Sequence, residues 1–354
     1  MSDRRREVEE IRRQMAEADA EILRGLQKRA QLARQIGTLG SVAPLSPVTE
    51  REHLALLEKT AADELPGEVV RAVFREVRAA TAPLERAARV AYVGPEGGFA
   101  HVAAQRQFGM GGTLTALESV ELAIDEVARE RADFAVIPFE SSVEGPLQTS
   151  VEALSATDLS LAAKIEVLAT LSVMGRAAHA SEIEKLYAYA ADRLACQHYV
   201  AQHPRAVVVD VRSPVVACQM CVQDPLGAAI VAEGVGLQAG LVAVETNVGD
   251  RADLRVRYGI ISTRPTQRSG DDSTALLFGV HDAPGALFDV LKHFAERGIN
   301  LKTIHSRPRQ GENWNYLFYV EVSGHVTDRA VITALEEIKR EAKLLKVLGS
   351  FPSC

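Results

Sequence analysis

The chain holds 354 residues, 47% hydrophobic and 25% charged, with a formal net charge of -7; that length suits two or three domains with cores of their own, and the composition is ordinary for a globular protein. The negative balance supplies no broad attraction for nucleic acid or anionic lipid, so neither is expected as a partner, and an anionic ligand would have to be held by a local arginine cluster. No run approaches the length of a bilayer span, MSDRRREVEE is not followed by the apolar stretch of a secretory signal, and Cys196, Cys218, Cys221 and Cys354 are too few and too bunched for a disulfide scaffold, which points to a reducing cytoplasm.

From Arg4 to Gln35 the pattern is helical, with Val8, Ile11, Met15, Ile22, Leu26, Ala33 and Ile36 on one stripe amid charged residues. Glycines, prolines and serines between Gly37 and Pro47 interrupt it, and a second helix is predicted from Thr49-Glu50-Arg51-Glu52, where threonine and acidic residues suit an N-terminus. A third runs from Pro66 to Arg86. Such a unit cannot cover the stripe of its long helix, so it is expected to dimerise.

At Ala88 the texture changes to short apolar strands alternating with amphipathic helices. Val90-Ala91-Tyr92-Val93 predicts a strand, Gly94-Pro95-Glu96-Gly97-Gly98 a loop, and a helix opens at Ala100. Phe134 to Pro138 predicts another strand, ending in the loop Glu140-Ser141-Ser142-Val143-Glu144-Gly145. Alternation of this kind predicts parallel sheets with helices on both faces and a ligand crevice at the C-terminal strand ends. The Gly94–Gly98 loop has neither the Lys-Ser/Thr ending of a P-loop nor the spacing of a dinucleotide fingerprint, so it supports an anion nest and no nucleotide cofactor. Cys218 and Cys221 have the spacing of a redox pair or half a zinc site, but they lie inside an apolar helical segment with no second pair downstream. Small buried core residues are expected there, and no metal.

Pro265 to Asp272 reads as a polar linker. Beyond it the pattern predicts strand Ser273–His281, helix Gly285–Arg297, strands Ile299–Arg307 and Tyr316–Ser323, helix Asp328–Ala342 and strand Leu344–Ser350, the βαββαβ order of a ferredoxin-like unit.

Within that unit Pro284-Gly285-Ala286-Leu287, Ile299-Asn300-Leu301, Ser306-Arg307-Pro308 and Trp314-Asn315-Tyr316 resemble a phenylalanine-sensing ACT domain. The resemblance implies L-phenylalanine as effector, with Gly285, Ala286 and Leu287 in the turn that meets its carboxylate, and a pocket between subunits, hence a dimer or tetramer. His305, Ser306, Arg307 and Pro308 stand where the family has Glu-Ser-Arg-Pro. The helical N-terminus is similar to chorismate mutase and the middle to prephenate dehydratase, so the whole chain resembles the bifunctional enzyme that makes phenylpyruvate, without cofactor or metal. The implied organisation is a helical mutase-like domain over residues 1–88, a two-lobed α/β dehydratase-like domain over 89–265 and an ACT domain over 271–354.

Matched onto the mutase pattern, Arg12, Arg29, Arg51, Glu52 and Glu85 occupy the site positions, the arginines suiting the two carboxylates of chorismate. The family lysine is replaced by Gly40, which removes a cationic donor aimed at the breaking ether bond, worth roughly 3 kcal/mol or more. In the dehydratase pattern, Gly-Pro-x-Gly-Thr-Phe-Ser becomes Gly94-Pro95-Glu96-Gly97-Gly98-Phe99-Ala100, and Glu-Asn-Ser becomes Glu140-Ser141-Ser142. Leu171 stands for a histidine, Ala188-Tyr189-Ala190-Ala191 for Ser-His-Pro-Gln, and Ser213-Pro214-Val215 for Ser-Thr-Ala. The Thr-Arg-Phe signature reads Val256-Arg257-Tyr258, and a valine cannot donate to the leaving hydroxyl. Arg257 is the remaining candidate carboxylate clamp, with Ser142, Ser213 and Tyr258 as hydroxyls nearby by motif.

Two readings stay open at this point. One is an enzyme of L-phenylalanine biosynthesis taking chorismate to prephenate and then phenylpyruvate under feedback by phenylalanine, a variant being a dehydratase lobe turned to another prephenate reaction. The other is a catalytically degenerate paralogue that senses an aromatic amino acid or prephenate and regulates a partner.

Overall fold

The computed structural model of the chain describes residues 2–38, 47–61, 65–109, 112–176, 180–280, 283–308 and 316–353, without the side chains of 2–5, 47–52, 79, 82–83, 85–86 and 307–308. They form two compact units, residues 1–88 with 108–113 in one and 89–107 with 114–354 in the other.

The first unit consists of α1 (Ser2–Thr38), α2 (Pro47–Thr60) and α3 (Gly67–Arg86). Helix α1 runs through Gly37, where the sequence predicts an interruption; one glycine costs only about 1 kcal/mol in a helix and does not end it. Ion pairs of Arg13 with Glu10 at 2.6 Å and Glu17 at 2.5 Å lace its polar face. Helix α3 packs against both α1 and α2. Its contacts bury Ala33 and Val70, whereas Val8, Ile11, Met15, Ile22 and Leu23 remain 43–63% exposed, the uncovered stripe expected of a long helix.

The second unit begins with β1 (Arg89–Val93), α4 (Phe99–Phe108), β2 (Thr113–Leu117), α5 (Val120–Ala128), β3 (Phe134–Ser141), β4 (Gly145–Pro146), α6 (Gln148–Ser155) and β5 (Ser160–Leu168). A second lobe follows with β6 (Leu171–Gly175), β7 (Lys185–Tyr189), α7 (Ala190–Leu194), α8 (Gln197–Gln202), β8 (Val207–Val211), α9 (Pro214–Gln223), β9 (Gly227–Ala232), α10 (Glu233–Gln238) and β10 (Val242–Glu245). The chain then returns to the first lobe as β11 (Arg255–Ser262).

The sheet orders are β2-β1-β3-β11-β5, with β4 off β3, and β10-β6-β9-β7-β8. The sheets are mixed, which corrects the expectation of parallel ones. Strands β1 and β3 are parallel and β7 is parallel to both β8 and β9, but β11 is antiparallel to β3 and β5, and β6 to β9 and β10. In the first sheet the cause is β11, which re-enters from the second lobe against the direction of β3, and in the second it is β6, which runs against β9. Antiparallel strands added to a parallel core are common in large sheets.

The third part is β12 (Asp272–Gly279), α11 (Ala286–Ala295), β13 (Leu301–Pro308), β14 (Tyr316–Ser323), α12 (Arg329–Glu341) and β15 (Leu344–Pro352). Its antiparallel sheet has the order β13-β14-β12-β15, the ferredoxin-like plan. One face buries Leu276, Phe278, Val320 and Val322 against Val290, Phe294, Val331 and Ile338 of the two helices. The other face places Ala275, Leu277, Tyr319, Leu348 and Phe351 in one core with Ile137, Phe139, Leu161 and Ile261 of the first lobe. Because strand side chains alternate, β12, β14 and β15 feed both cores. This sheet is therefore packed on the strands that carry the Glu140 and Arg257 motifs.

Candidate functional site

The loop after β1 and the start of α10 after β9 meet between the two lobes. Gly97 has φ +77°, and a Cβ there would lie 2.4 Å from the backbone carbonyl of Gly234. A Cβ on Gly234 would in turn lie 2.4 Å from the Gly97 carbonyl oxygen. Only two glycines allow this approach, which brings the lobes together at the C-terminal ends of β1 and β9. The Gly97 amide donates to Nδ1 of His101 on α4 at 3.0 Å. Burial depresses the His101 pKa, and a neutral ring accepting at Nδ1 carries its proton on Nε2. His101 was not singled out by the motif reading; its signal is a histidine on the apolar helix straight after the Gly94–Ala100 segment.

The segment expected to be a loop at 140–145 is a tight hairpin, a turn over Ser142–Glu144 with strand at Glu140, Ser141 and Gly145. Strand β3 runs through Ser141, and β4 returns with Gly145 opposite Ser141 and Pro146 opposite Glu140. Gly145 has φ +73°, and a Cβ there would sit 2.4 Å from Cε1 of the His305 ring on β13, so the hairpin rests directly on the third part of the fold. The Ser142 amide donates to the Arg255 carbonyl at 2.9 Å, and Ser142 Oγ accepts from the Arg255 amide at 3.1 Å. Ser142 therefore ties the turn to β11.

Alternation along β11 separates the residues of the Val256-Arg257-Tyr258 motif. Arg255, Arg257 and Gly259 lie on one face with Glu166 and Lys164 of β5, opposite Val256 and Tyr258. On that face Arg257 pairs with Glu140 at 3.1 Å and Glu166 at 3.2 Å, and Arg255 with Glu166 at 2.7 Å. These hydrogen bonds, that from Arg255 foremost, hold the Glu166 carboxyl below its ordinary pKa. A cavity of about 450 Å³ is lined by Glu140, Ser142, Glu144, Arg255, Arg257 and His305 among others. Three of the residues singled out from sequence, Ser142, Arg257 and His305, thus share one cavity.

Lys164 is enclosed beneath this face, its side chain 2% exposed. Its ammonium donates to Glu140 at 2.9 Å and Tyr319 Oη at 3.5 Å, and is bonded to Glu321, which also accepts from Tyr319. The rings of Phe139, Phe351 and Tyr319 stand 5.3, 5.2 and 6.0 Å from it. Burial, and then the Glu321 carboxylate, push the Tyr319 pKa well up. Lys164 and Glu321 escaped the motif reading, although each is a charged residue within a mainly apolar strand, Ser160–Leu168 and Tyr316–Ser323.

The other hydroxyl candidates do not join this cavity's lining. Ser213 is the N-cap of α9, accepting from the Val216 amide at 3.3 Å, and Tyr258 is buried, with a pKa raised by desolvation. Cys218 and Cys221 are buried on α9, where burial pushes each thiol up to about 11, the behaviour of core residues rather than a redox pair.

In the helical unit Arg12 is exposed and Arg29 half-buried on α1. Arg51 and Glu52 lie on α2 and Glu85 on α3, with side chains outside the described residues, as is the whole of Gly40. Arg78 of α3 is buried. Desolvation, then the positive charges of Arg78 and Arg29, lower the pKa of His53, so two arginines converge there. The motif pattern missed Arg78; its signal is an arginine four residues after Phe74 and eight after Val70, on the inward side of α3.

In the ACT-like part Gly285, with φ 85°, caps α11, followed by half-buried Ala286 and Leu287. His305 is half-buried and Ser306 exposed on β13, which is an edge strand. The Arg307 and Pro308 side chains and all of Trp314 and Asn315 lie outside the described residues.

Three family profiles match in order: chorismate mutase type II over residues 11–86, prephenate dehydratase over 90–266 and ACT domain over 274–340. The bifunctional chorismate mutase/prephenate dehydratase of Aquifex aeolicus is 33% identical over 98% of both chains. The protein of the same description from Pseudomonas aeruginosa is 29% identical, again over 98% of both. Among solved structures, the prephenate dehydratase of Arthrobacter aurescens in complex with L-Phe superposes with a TM-score of 0.67 at 28% identity, over 75% of this chain and 90% of that one.

Proposed function

The chain belongs to the bifunctional chorismate mutase/prephenate dehydratase family of L-phenylalanine biosynthesis, with an ACT domain, and we propose that it takes chorismate to prephenate and prephenate to phenylpyruvate under control by L-phenylalanine. The end-to-end match to the Aquifex aeolicus protein carries this reading. We read the domains as residues 1–88, 89–265 and 271–354.

In the helical domain the rearrangement needs substrate folding and cationic groups, since no proton is transferred in a pericyclic step. Arg12, Arg29 and Arg51 grip the two carboxylates, and Glu52 and Glu85 complete the site. Arg78, buried beside Arg29 and His53, is the cation that offsets the loss at Gly40. The exposed stripe of Val8, Ile11, Met15, Ile22 and Leu23 supports pairing with a second copy of the chain.

In the dehydratase domain the ring carboxylate leaves as carbon dioxide and the ring hydroxyl as water, which takes one proton from a donor near that hydroxyl. Val256 supplies none. The crevice at Gly97 and Gly234 is the place for the ring, and neutral His101, its proton on Nε2, supplies a hydrogen bond from that loop to the leaving hydroxyl, with a solvent water as the source of the proton. Ser142 and Arg257 act from the hairpin side. The ACT domain takes phenylalanine at Gly285, Ala286 and Leu287 with His305, Ser306, Arg307 and Pro308.

The test is incubation of the purified full chain with chorismate, and separately with prephenate, identifying products by mass spectrometry with and without phenylalanine. Phenylpyruvate from both substrates, suppressed by phenylalanine, is expected. Unconverted substrates would overturn the catalytic reading. No helix of the described residues is long and apolar enough to cross a membrane.

A further inference from the structure

We propose that Lys164 is a positioning residue that ties the Glu140–Gly145 hairpin to the ACT sheet, and that Glu321 is the contact through which the state of that sheet reaches the hairpin. The regulatory half of this inference rests on reading the ACT domain as a phenylalanine sensor; the positioning half does not.

The cage around the Lys164 ammonium is assembled from two parts of the fold. The dehydratase side supplies Glu140 and Phe139, both on β3, and the ACT side supplies Glu321 and Tyr319 on β14 and Phe351 on β15. An ammonium with its side chain 2% exposed is tolerated only when paired and hydrogen-bonded, so its position follows its carboxylates. Glu140 is held from both sides, Oε2 accepting from Lys164 at 2.9 Å and Oε1 from Arg257 at 3.1 Å. Ion pairs join Lys164, Arg255 and Arg257 with Glu140, Glu166 and Glu321, a balanced set of charges in which displacing one carboxylate unbalances its neighbours.

Of the cage's two ACT strands, β14 also borders β13, the strand that carries His305. His305 of β13, which faces Gly145 of the hairpin, pairs in register with Tyr319 of β14, two residues from Glu321. A change at β13 is therefore one strand away from the Lys164 cage. This is a contiguous path of packed and hydrogen-bonded groups, the physical requirement for coupling between sites. A plain structural ion pair would hold the two parts together without making the hairpin respond to the sheet, and that difference can be measured.

The experiment uses the full chain as wild type, Glu321→Gln, and the double variant Lys164→Met with Glu321→Leu. Hydrogen exchange is followed at the Ser142 and Leu147 amides, which the hairpin protects through the Arg255 and Phe139 carbonyls, with strand β9 as internal control. Without effector, both variants should exchange at the hairpin on the order of tenfold faster than wild type while β9 keeps its protection. Hairpin exchange equal to wild type in both variants overturns the inference whatever the enzyme activity. Uniform acceleration including β9 overturns it too, since that is global destabilisation.

With phenylalanine added, wild type should slow both hairpin exchange and prephenate turnover. In Glu321→Gln phenylalanine should still bind by calorimetry, and the ratio of phenylalanine-free to phenylalanine-saturated turnover should fall toward about 1 from a wild-type value on the order of 5- to 150-fold. An undiminished ratio overturns the regulatory half. A wild type that neither binds phenylalanine nor converts prephenate overturns the proposed function instead, leaving the effector-free exchange to decide the positioning half.

Discussion

Replacing Lys164 by methionine alone removes the ammonium shared by Glu140 and Glu321 while filling most of its volume. Glu140 keeps Arg257 at 3.1 Å, but Glu321, its side chain 8% exposed, loses the cation that neutralises it beside buried Tyr319. Breaking one side of a buried pair costs about 3–5 kcal/mol, largely the cost of the carboxylate left behind. For a unit of this size each kcal/mol corresponds to about 2–4 °C in Tm, so Lys164→Met should lower the second unit's transition by roughly 6–20 °C. Adding Glu321→Leu removes the stranded charge, and apolar replacement of a buried pair is often neutral or stabilising. The double variant should therefore recover to within about 1–2 kcal/mol of wild type. Differential scanning calorimetry of the three proteins measures both steps. Equal losses in the single and double variants would refute the reasoning, because the damage would then come from lost packing rather than an uncompensated charge.

Other consequences are open to test. Gly234→Ala should reduce kcat/KM for prephenate while leaving the far-UV spectrum unchanged, because its Cβ meets the Gly97 carbonyl at 2.4 Å and forces the lobes apart; unaltered kinetics would remove the crevice from the mechanism. Gly145→Ala should destabilise the hairpin by about 1 kcal/mol from its left-handed φ and by more from the His305 ring, so His305→Ala in the same chain should recover the steric part alone, read from urea midpoints. Burial raises the Asp192 carboxyl from its ordinary 3.8 to about 7. A folded pKa above the unfolded one means a stability cost that is absent below about pH 3.8, grows as the pH rises, and is complete above about pH 7. The ceiling is roughly 4 kcal/mol. Asp192 keeps part of its surface in solvent, which brings the expected gain from Asp192→Asn to about 1–2 kcal/mol at pH 8 and near zero at pH 4; equal gains at both pH values would contradict the assignment. Cys218 and Cys221, their thiols pushed up to about 11, should resist alkylation at pH 8 until the protein is unfolded.

Much of this molecule was legible in its residues. Helical periodicity with polar interruptions marked α1 to α3, and short apolar runs marked β1, β3 and the six elements after the linker, because those patterns are imposed locally by side-chain spacing. Motif order gave the family, and the stripe along α1 was recognisable as more than one helix unit can cover. Local pattern also misled in places: the loop at Glu140–Gly145 looked longer than its Ser142–Glu144 turn because serines and a glycine suit turns, and the sheets looked parallel because strand direction after a long excursion is not written in either strand.

What the tertiary structure decided is which charges meet. Lys164 and Glu321 are 157 residues apart in the chain, and Gly145 and His305 meet only because the ACT sheet packs on the first lobe. Arg257 sits next to Val256 in sequence, yet strand alternation sends it to the opposite face, into pairs with Glu140 and Glu166. Sequence determines the period with which a strand divides its side chains between two faces. Only the packed structure determines what lies across each face, and hence whether a lysine in a mainly apolar strand becomes an unpaired charge or the centre of a cage.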